Sequence, residues 1–167
     1  MLGLPASQAY LILLICVLPV CAWVCWSDLR SMRIPNVAVF TLVGIYAVVG
    51  VLVLPLEFWA WRWLNLVVVL AIGFVLNAVA HFGAGDAKFA AAAAPFIPAA
   101  HAALVLPLFA AFLLGAFSAH RLLRAIPAIR RMTPDWVSWT RKDFPMGLAL
   151  VGTLVAYLAI RAFLPEA

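Results

Sequence analysis

The stretch QAYLILLICVLPVCAWVCWSDLRSMRIPN, residues 8–36, decides the fold. Its first part, residues 8–26, contains no charged side chain, and about 20 apolar residues suffice for a helix to cross a bilayer. Ser27, Asp28, Arg30 and Arg33 then break the run. Pro35 cannot continue a helix but is favoured where one starts, and a second apolar run opens at Val37. The pattern is a membrane span, a short charged turn and a second span.

Outward from this stretch the rest of the chain reads the same way. Of its 167 residues 68% are apolar and 10% charged, and the mean hydropathy is +1.16. Soluble domains carry about 45–50% apolar and ~25% charged residues. A soluble enzyme, a disordered tail and a fibrous repeat are thereby excluded. A pI of 9.6 does not indicate a nucleic-acid partner, because the basic residues sit where they would meet lipid. Six apolar runs can be marked, at about 8–26, 37–56, 64–82, 87–99, 102–119 and 146–164. The expected fold is all-α and polytopic, a single membrane-embedded domain over 1–167 with about six transmembrane helices.

Lys and Arg collect in cytoplasmic loops. With the N-terminus outside, Arg30, Arg33, Lys88, Arg121, Arg124, Arg130, Arg131, Arg141 and Lys142 fall inside, and only Arg62 and Arg161 fall outside. Reading 87–119 as one span moves the 120–145 loop to the other side and weakens this bias. Residues 98–101 are then a tight outer turn. The loop around Glu57, Phe58, Trp59, Trp61 and Trp63 is expected to form an aromatic belt at headgroup level, with Trp136 and Trp139 serving the inner side. The basic loop over 120–145 is expected to lie against an anionic leaflet as a topology anchor. Cys16, Cys21 and Cys25 lack paired C-x-x-C spacing and read as packing residues, so no metal is implied.

Four of the six acidic residues, Glu57, Asp135, Asp143 and Glu166, read as ordinary solvated charges. Asp28 and Asp86 differ, because each abuts an apolar span, where an acid is costly and marks a functional candidate. The topology places both on the cytoplasmic side. Two carboxylates on one face can share a proton: the ionised one activates water, and the protonated one donates to the carbonyl of a scissile amide. Gly83 and Gly85 allow a tight backbone turn and close approach of an extended peptide paired through main-chain hydrogen bonds. Asn36 can cap the second span or hold a carboxylate, and Lys88 is placed to favour ionised Asp86. A structural reading stands beside this one, in which Asp28 pairs with Arg30 or Arg33 and Asp86 caps the fourth helix.

Asp28-Leu29-Arg30-Ser31-Met32-Arg33-Ile34-Pro35-Asn36 resembles the D-x5-I-P-N signature of type IV prepilin peptidases, and Gly83-Ala84-Gly85-Asp86-Ala87-Lys88 resembles their G-x-G-D-x-K signature. The resemblance implies a membrane aspartic peptidase that needs no cofactor, with Asp28 and Asp86 matching the catalytic aspartates. Arg33, Pro35, Asn36, Gly83, Gly85 and Lys88 are expected to bind substrate or shape the site. The implied substrate partner is a prepilin, cut at its short leader on the cytoplasmic face of the bacterial inner membrane; the oligomeric state is left open. The chain shows no N-terminal extension with C-x-x-C pairs, so it resembles the compact form of tight-adherence (Flp-type) pilus systems, and peptidase activity without N-methylation is expected. Phe144-Pro145-Met146-Gly147 stands where relatives often carry Pro-Tyr-Gly, a change expected to bear on substrate preference. The alternatives are a presenilin-like intramembrane peptidase, a small proton-coupled transporter and a pilus-assembly subunit without catalysis.

Overall fold

In lipid, backbone polar groups must be satisfied within the chain, and helices do this locally. The described residues of the computed structural model, 2–80 and 83–164, are accordingly helical, with no strand among them. The expected end of the third span at 81–82, His81 with it, and Glu166 lie outside these residues. Helix α1 (Ala6–Ser31) is followed by α2 (Asn36–Ile45), a π-helical turn (Tyr46–Gly50) and α3 (Val51–Val53), which together form one continuous run. Then come α4 (Leu56–Ala80), α5 (Ala84–Ala93), α6 (Ala102–Ala125), the short α7 (Pro127–Met132) and α8 (Gly147–Phe163).

Among the described residues four elements are long and apolar enough to cross a membrane: Ala6–Ser31, Asn36–Val53, Leu56–Ala80 and Ala99–Ala125. The 26 residues of α1 extend about 39 Å at 1.5 Å per residue, more than a ~30 Å hydrocarbon core. Among the described residues one shorter apolar helix stands beside them, the 17-residue α8, and the alanine-rich α5 has 10 residues. The fourth apolar run does not stay helical over 87–99: Pro95 and Pro98 convert its second half into a 3-10 turn (Ala94–Phe96), an extended Ile97 and a second 3-10 turn (Ala99–His101).

The helices differ sharply in burial. Helix α1 packs most extensively on α8, while α2 lies against both α1 and α5. Their shared core includes Leu13, Val17, Val24, Leu42, Phe89, Leu154 and Tyr157, all inaccessible or nearly so. By contrast, α4 and α6 flank this core, and each buries one residue within its helix, Gly73 and His120 respectively. Phe74, Val75, Val79, Leu106 and Leu114 are exposed on them. Apolar area of that extent is covered in a membrane by acyl chains, so this is a multi-pass membrane protein. Gly73 brings α4 onto α5: a Cβ there would lie 2.8 Å from the Ala87 Cβ, the close backbone approach that small residues permit between membrane helices.

Two expectations about aromatic residues need correction. The segment from Glu57 to Trp63 is the start of α4 and not a loop. Its helical spacing turns Phe58 and Trp61 outward and Trp59 and Trp63 inward onto Tyr46. There Trp59 Nε1 donates to the Tyr46 carbonyl (3.1 Å) and Tyr46 Oη donates to the Trp59 carbonyl (2.9 Å). Trp139 is buried rather than at an interface: it stacks on His120 (5.1 Å between centroids) and donates to the Thr133 carbonyl. The loop that carries it folds back on α1, with Trp136 edge-on to Trp26.

Candidate active site

Asp28 lies one turn before the end of α1, where the helix dipole disfavours an anion. The compensating groups come from the far end of the sequence. Gly147 is the first residue of α8, and its backbone N–H donates to Asp28 Oδ2 at 2.8 Å. The first N–H groups of any helix have no partner within it, so the start of α8 is a ready acceptor site for a carboxylate. A Cβ on Gly147 would stand 2.7 Å from Asp28 Oδ2 and 3.1 Å from its Cγ. Glycine is therefore required by space at this position. Asp28 itself is 5% exposed.

The chain after Asp28 is stopped abruptly. Met32 takes the left-handed conformation (φ 53°, ψ 40°), and its N–H closes on the Asp28 carbonyl at 2.8 Å. A left-handed residue at this place is a common helix stop, though usually a glycine. Ser27 Oγ donates to the Arg33 carbonyl at 2.8 Å and ties the turn back onto α1. Pro35 then precedes α2 as its N-cap residue, and its carbonyl accepts the Val39 N–H. Asn36 begins α2 without capping it: its Oδ1 accepts from Lys88 Nζ at 3.3 Å.

Asp86 is the third residue of α5, in the first turn, where an anion is stabilised by the helix dipole. Gly83 is the N-cap residue (φ −56°, ψ 123°) and Gly85 is already helical. The chain offers no extended backbone from Ala84 onward for an approaching peptide to pair with, because the helix starts there. The two glycines serve different ends. A Cβ on Gly83 would run into Asp86 Oδ2, so the carboxylate folds back over that residue. A Cβ on Gly85 would make an ordinary contact with Ile34, at 3.5 Å.

Asp28 and Asp86 face one cavity of about 320 Å³, lined also by Arg33, Asn36, Gly83, Gly85 and Lys88. The α1–α2 turn supplies one wall and the start of α5 the other. All the residues singled out from sequence meet there except Pro35, which sits behind Asn36 and sets the start of α2. Burial raises the Asp86 carboxyl to about 6, and the charge of Asp28 acts in the same direction. No cation neutralises the pair: among the described residues the only ion pair is Arg141–Asp143, exposed in the basic loop. The expected pairing of Lys88 with Asp86 is not made, because the ammonium turns to Asn36; nor is Asp28 paired with Arg30 or Arg33.

The type IV leader peptidase family matches residues 12–120, well over half of the chain and both aspartate motifs. The chain belongs to this family. No curated protein matches it, and no solved structure does. Membership makes it a leader peptidase-type hydrolase. The matched segment ends before Gly147, and the contact of Gly147 with Asp28 was also the feature missed from sequence. The legible signal was a glycine after Pro145 at the start of the last apolar run, a helix N-terminus with a free N–H and no side chain in the way.

Proposed function

We propose that this protein is a membrane aspartic endopeptidase that removes the short leader of a prepilin, of the Flp type, and does not methylate the product. The observation that carries this reading is the convergence of Asp28 and Asp86 on one cavity at one end of the helix bundle, in a chain of the leader peptidase family. The ionised member of the pair takes a proton from water as the water oxygen attacks the scissile carbonyl carbon. The protonated member donates its proton to the carbonyl oxygen. Collapse of the tetrahedral intermediate breaks the C–N bond, and the proton taken from water passes to the leaving amine. With neither acid held in an ion pair, one proton can be shared between them.

The basic residues favour an arrangement in the bacterial inner membrane with the N-terminus outside and the aspartates at the cytoplasmic face. Arg30, Arg33, Lys88 and the arginines of the 120–145 loop then lie inside. Six crossings require 87–99 and α8 to serve as short spans beside the four long ones. Peptidase activity alone accords with the cysteines, which are free and confined to α1, with no C-x-x-C pair.

The test is cleavage in a reconstituted system. Purified protein in liposomes is mixed with an Flp-type prepilin, with Asp28→Asn and Asp86→Asn in parallel. The expected result is release of the leader by the wild type and by neither variant, each variant still accumulating in the membrane. Equal cleavage by all three would mean that the aspartates are structural and would overturn the reading.

A further inference from the structure

At the other end of the bundle lies a larger cavity, of about 610 Å³. Tyr10 on its wall and Asp28 are both on α1, 18 positions apart, so it lies about 27 Å along the helix from the aspartates. Its walls carry Arg62 from α4, Arg161 from α8 and His101 from the 3-10 turn before α6, and no carboxylate of the described residues lines it. These two arginines are the basic residues that the charge bias left on the opposite side from the other nine. Tyr10 anchors the group: Arg62 Nη2 donates to its hydroxyl at 3.4 Å, and the Arg161 guanidinium lies over its ring, 5.9 Å from the centroid. His101 Nδ1 is 2.7 Å from the Tyr157 hydroxyl. Arg62 Nη1 is buried and has no hydrogen-bond partner among the described residues.

A buried guanidinium donor without a partner is costly, and guanidinium geometry suits the paired oxygens of a phosphate. The remaining wall gives the kind of phosphate. Phe58, Trp61 and Leu64 line the cavity and are 59%, 68% and 54% exposed on α4. A free anion would leave this apolar rim uncovered, whereas a phospholipid covers it with its acyl chains. We infer that this cavity binds the headgroup of an anionic phospholipid, with Arg62 as its principal ligand and Arg161 and His101 on the walls. The lipid fills the gap between the start of α1, α4 and the end of α8.

Lipid binding at this end of the bundle is independent of the cleavage reaction and is tested without it. Delipidated full-length protein in detergent is titrated with phosphatidylglycerol, with phosphatidylcholine and with inorganic phosphate, and bound lipid is counted by native mass spectrometry. Phosphatidylglycerol should be retained at least about tenfold better than phosphatidylcholine. Arg62→Gln should remove this preference and Arg62→Lys should keep most of it, circular dichroism confirming helical content. Ala6→Glu provides a second route that leaves Arg62 intact. Ala6 is an exposed lining residue at the first position of α1, where an acid also suits the helix dipole, and the new carboxylate should displace the lipid. Equal retention of the two lipids, or unchanged phosphatidylglycerol binding in Ala6→Glu, would overturn the site. Displacement of phosphatidylglycerol by millimolar phosphate would overturn the assignment to lipid and leave a site for the free anion.

Discussion

The two ends of the bundle place opposite charges in similar surroundings and satisfy them differently. At one end Asp28 and Asp86 each meet a helix N-terminus, Asp28 from the last turn of α1 on the Gly147 N–H of α8 and Asp86 in the first turn of its own helix. At the other end Arg62 reaches a tyrosine hydroxyl with one nitrogen and, among the described residues, nothing with Nη1. Helix N-termini stabilise anions through the fold itself, so the carboxylate end is complete without a partner. The guanidinium end has no equivalent, because the groups that could match it are carboxylates, and none of the described residues brings one there. A carboxylate that meets a helix N-terminus and no cation stays free to exchange its proton, which suits catalysis. A charge left with an unused donor calls for a ligand.

The largest effect should follow from removing the charge while keeping the shape. Asp28→Asn or Asp86→Asn is expected to lower cleavage by at least ~10³-fold, as the loss of one member of a cooperating pair does in other hydrolases. Leader release from a prepilin, quantified against membrane-accumulated enzyme, measures it. Arg62→Gln, at the other end of the bundle, should leave the chemistry of the same assay intact when the lipid is supplied in excess.

Next come the glycines that hold the carboxylates in place. Gly147→Ala presses a methyl group against Asp28, and Gly83→Ala does the same to Asp86. In each case the acid must turn away, and misplacing a catalytic group by about 1 Å can cost ~10²-fold. Both variants should therefore lose about one to two orders of magnitude in kcat, with a much smaller change in helical content. Retention of full activity by Gly147→Ala would mean that the α8 N-terminus does not position Asp28.

Both motifs of the site were legible from sequence because their chemistry is local: an acid beside an apolar run, a proline at a helix start, glycines before an aspartate. The convergence of Asp28 and Asp86 followed from placing both on one face. What could not be read locally was anything set by packing across the chain. Lys88 is two positions from Asp86 and looks like its partner, yet two residues on a helix point apart, and its ammonium reaches Asn36 instead. Trp59 and Trp63 read as interfacial with Trp61, until the helical period sends them to Tyr46 in the π-helical turn after α2. The Gly147 contact joins positions 119 apart and depends on α8 returning to α1, which no local pattern encodes.

The acid–base balance of the carboxylate end gives a smaller but signed effect. Burial, with help from Asp28, lifts Asp86 from the ordinary 3.8 to about 6, so the folded protein holds this proton more tightly than the unfolded chain does. The resulting stability is fully present below the unfolded value and is lost as pH rises through about 6. Thermal unfolding of detergent-solubilised protein should therefore show a midpoint that falls over this window. Asp86→Asn should make that part of the profile shallower, and an unchanged slope would count against a buried, coupled Asp86.

The smallest effect separates the two glycines of one motif. Gly85 is helical, and an added Cβ would lie 3.5 Å from the Ile34 Cβ and 3.7 Å from the Ile34 nitrogen, an ordinary contact that asks nothing of Asp86. Alanine is also the better helix former, by up to ~1 kcal/mol in a helix interior and less in the first turn. Gly85→Ala should therefore keep activity within about twofold of wild type and leave stability equal or slightly higher. Gly83→Ala, two residues earlier, loses far more. If the two variants instead fell together, the motif would demand backbone freedom at both positions, as for a peptide laid against an extended strand. The space beside the Asp86 carboxylate would then not be what distinguishes the pair.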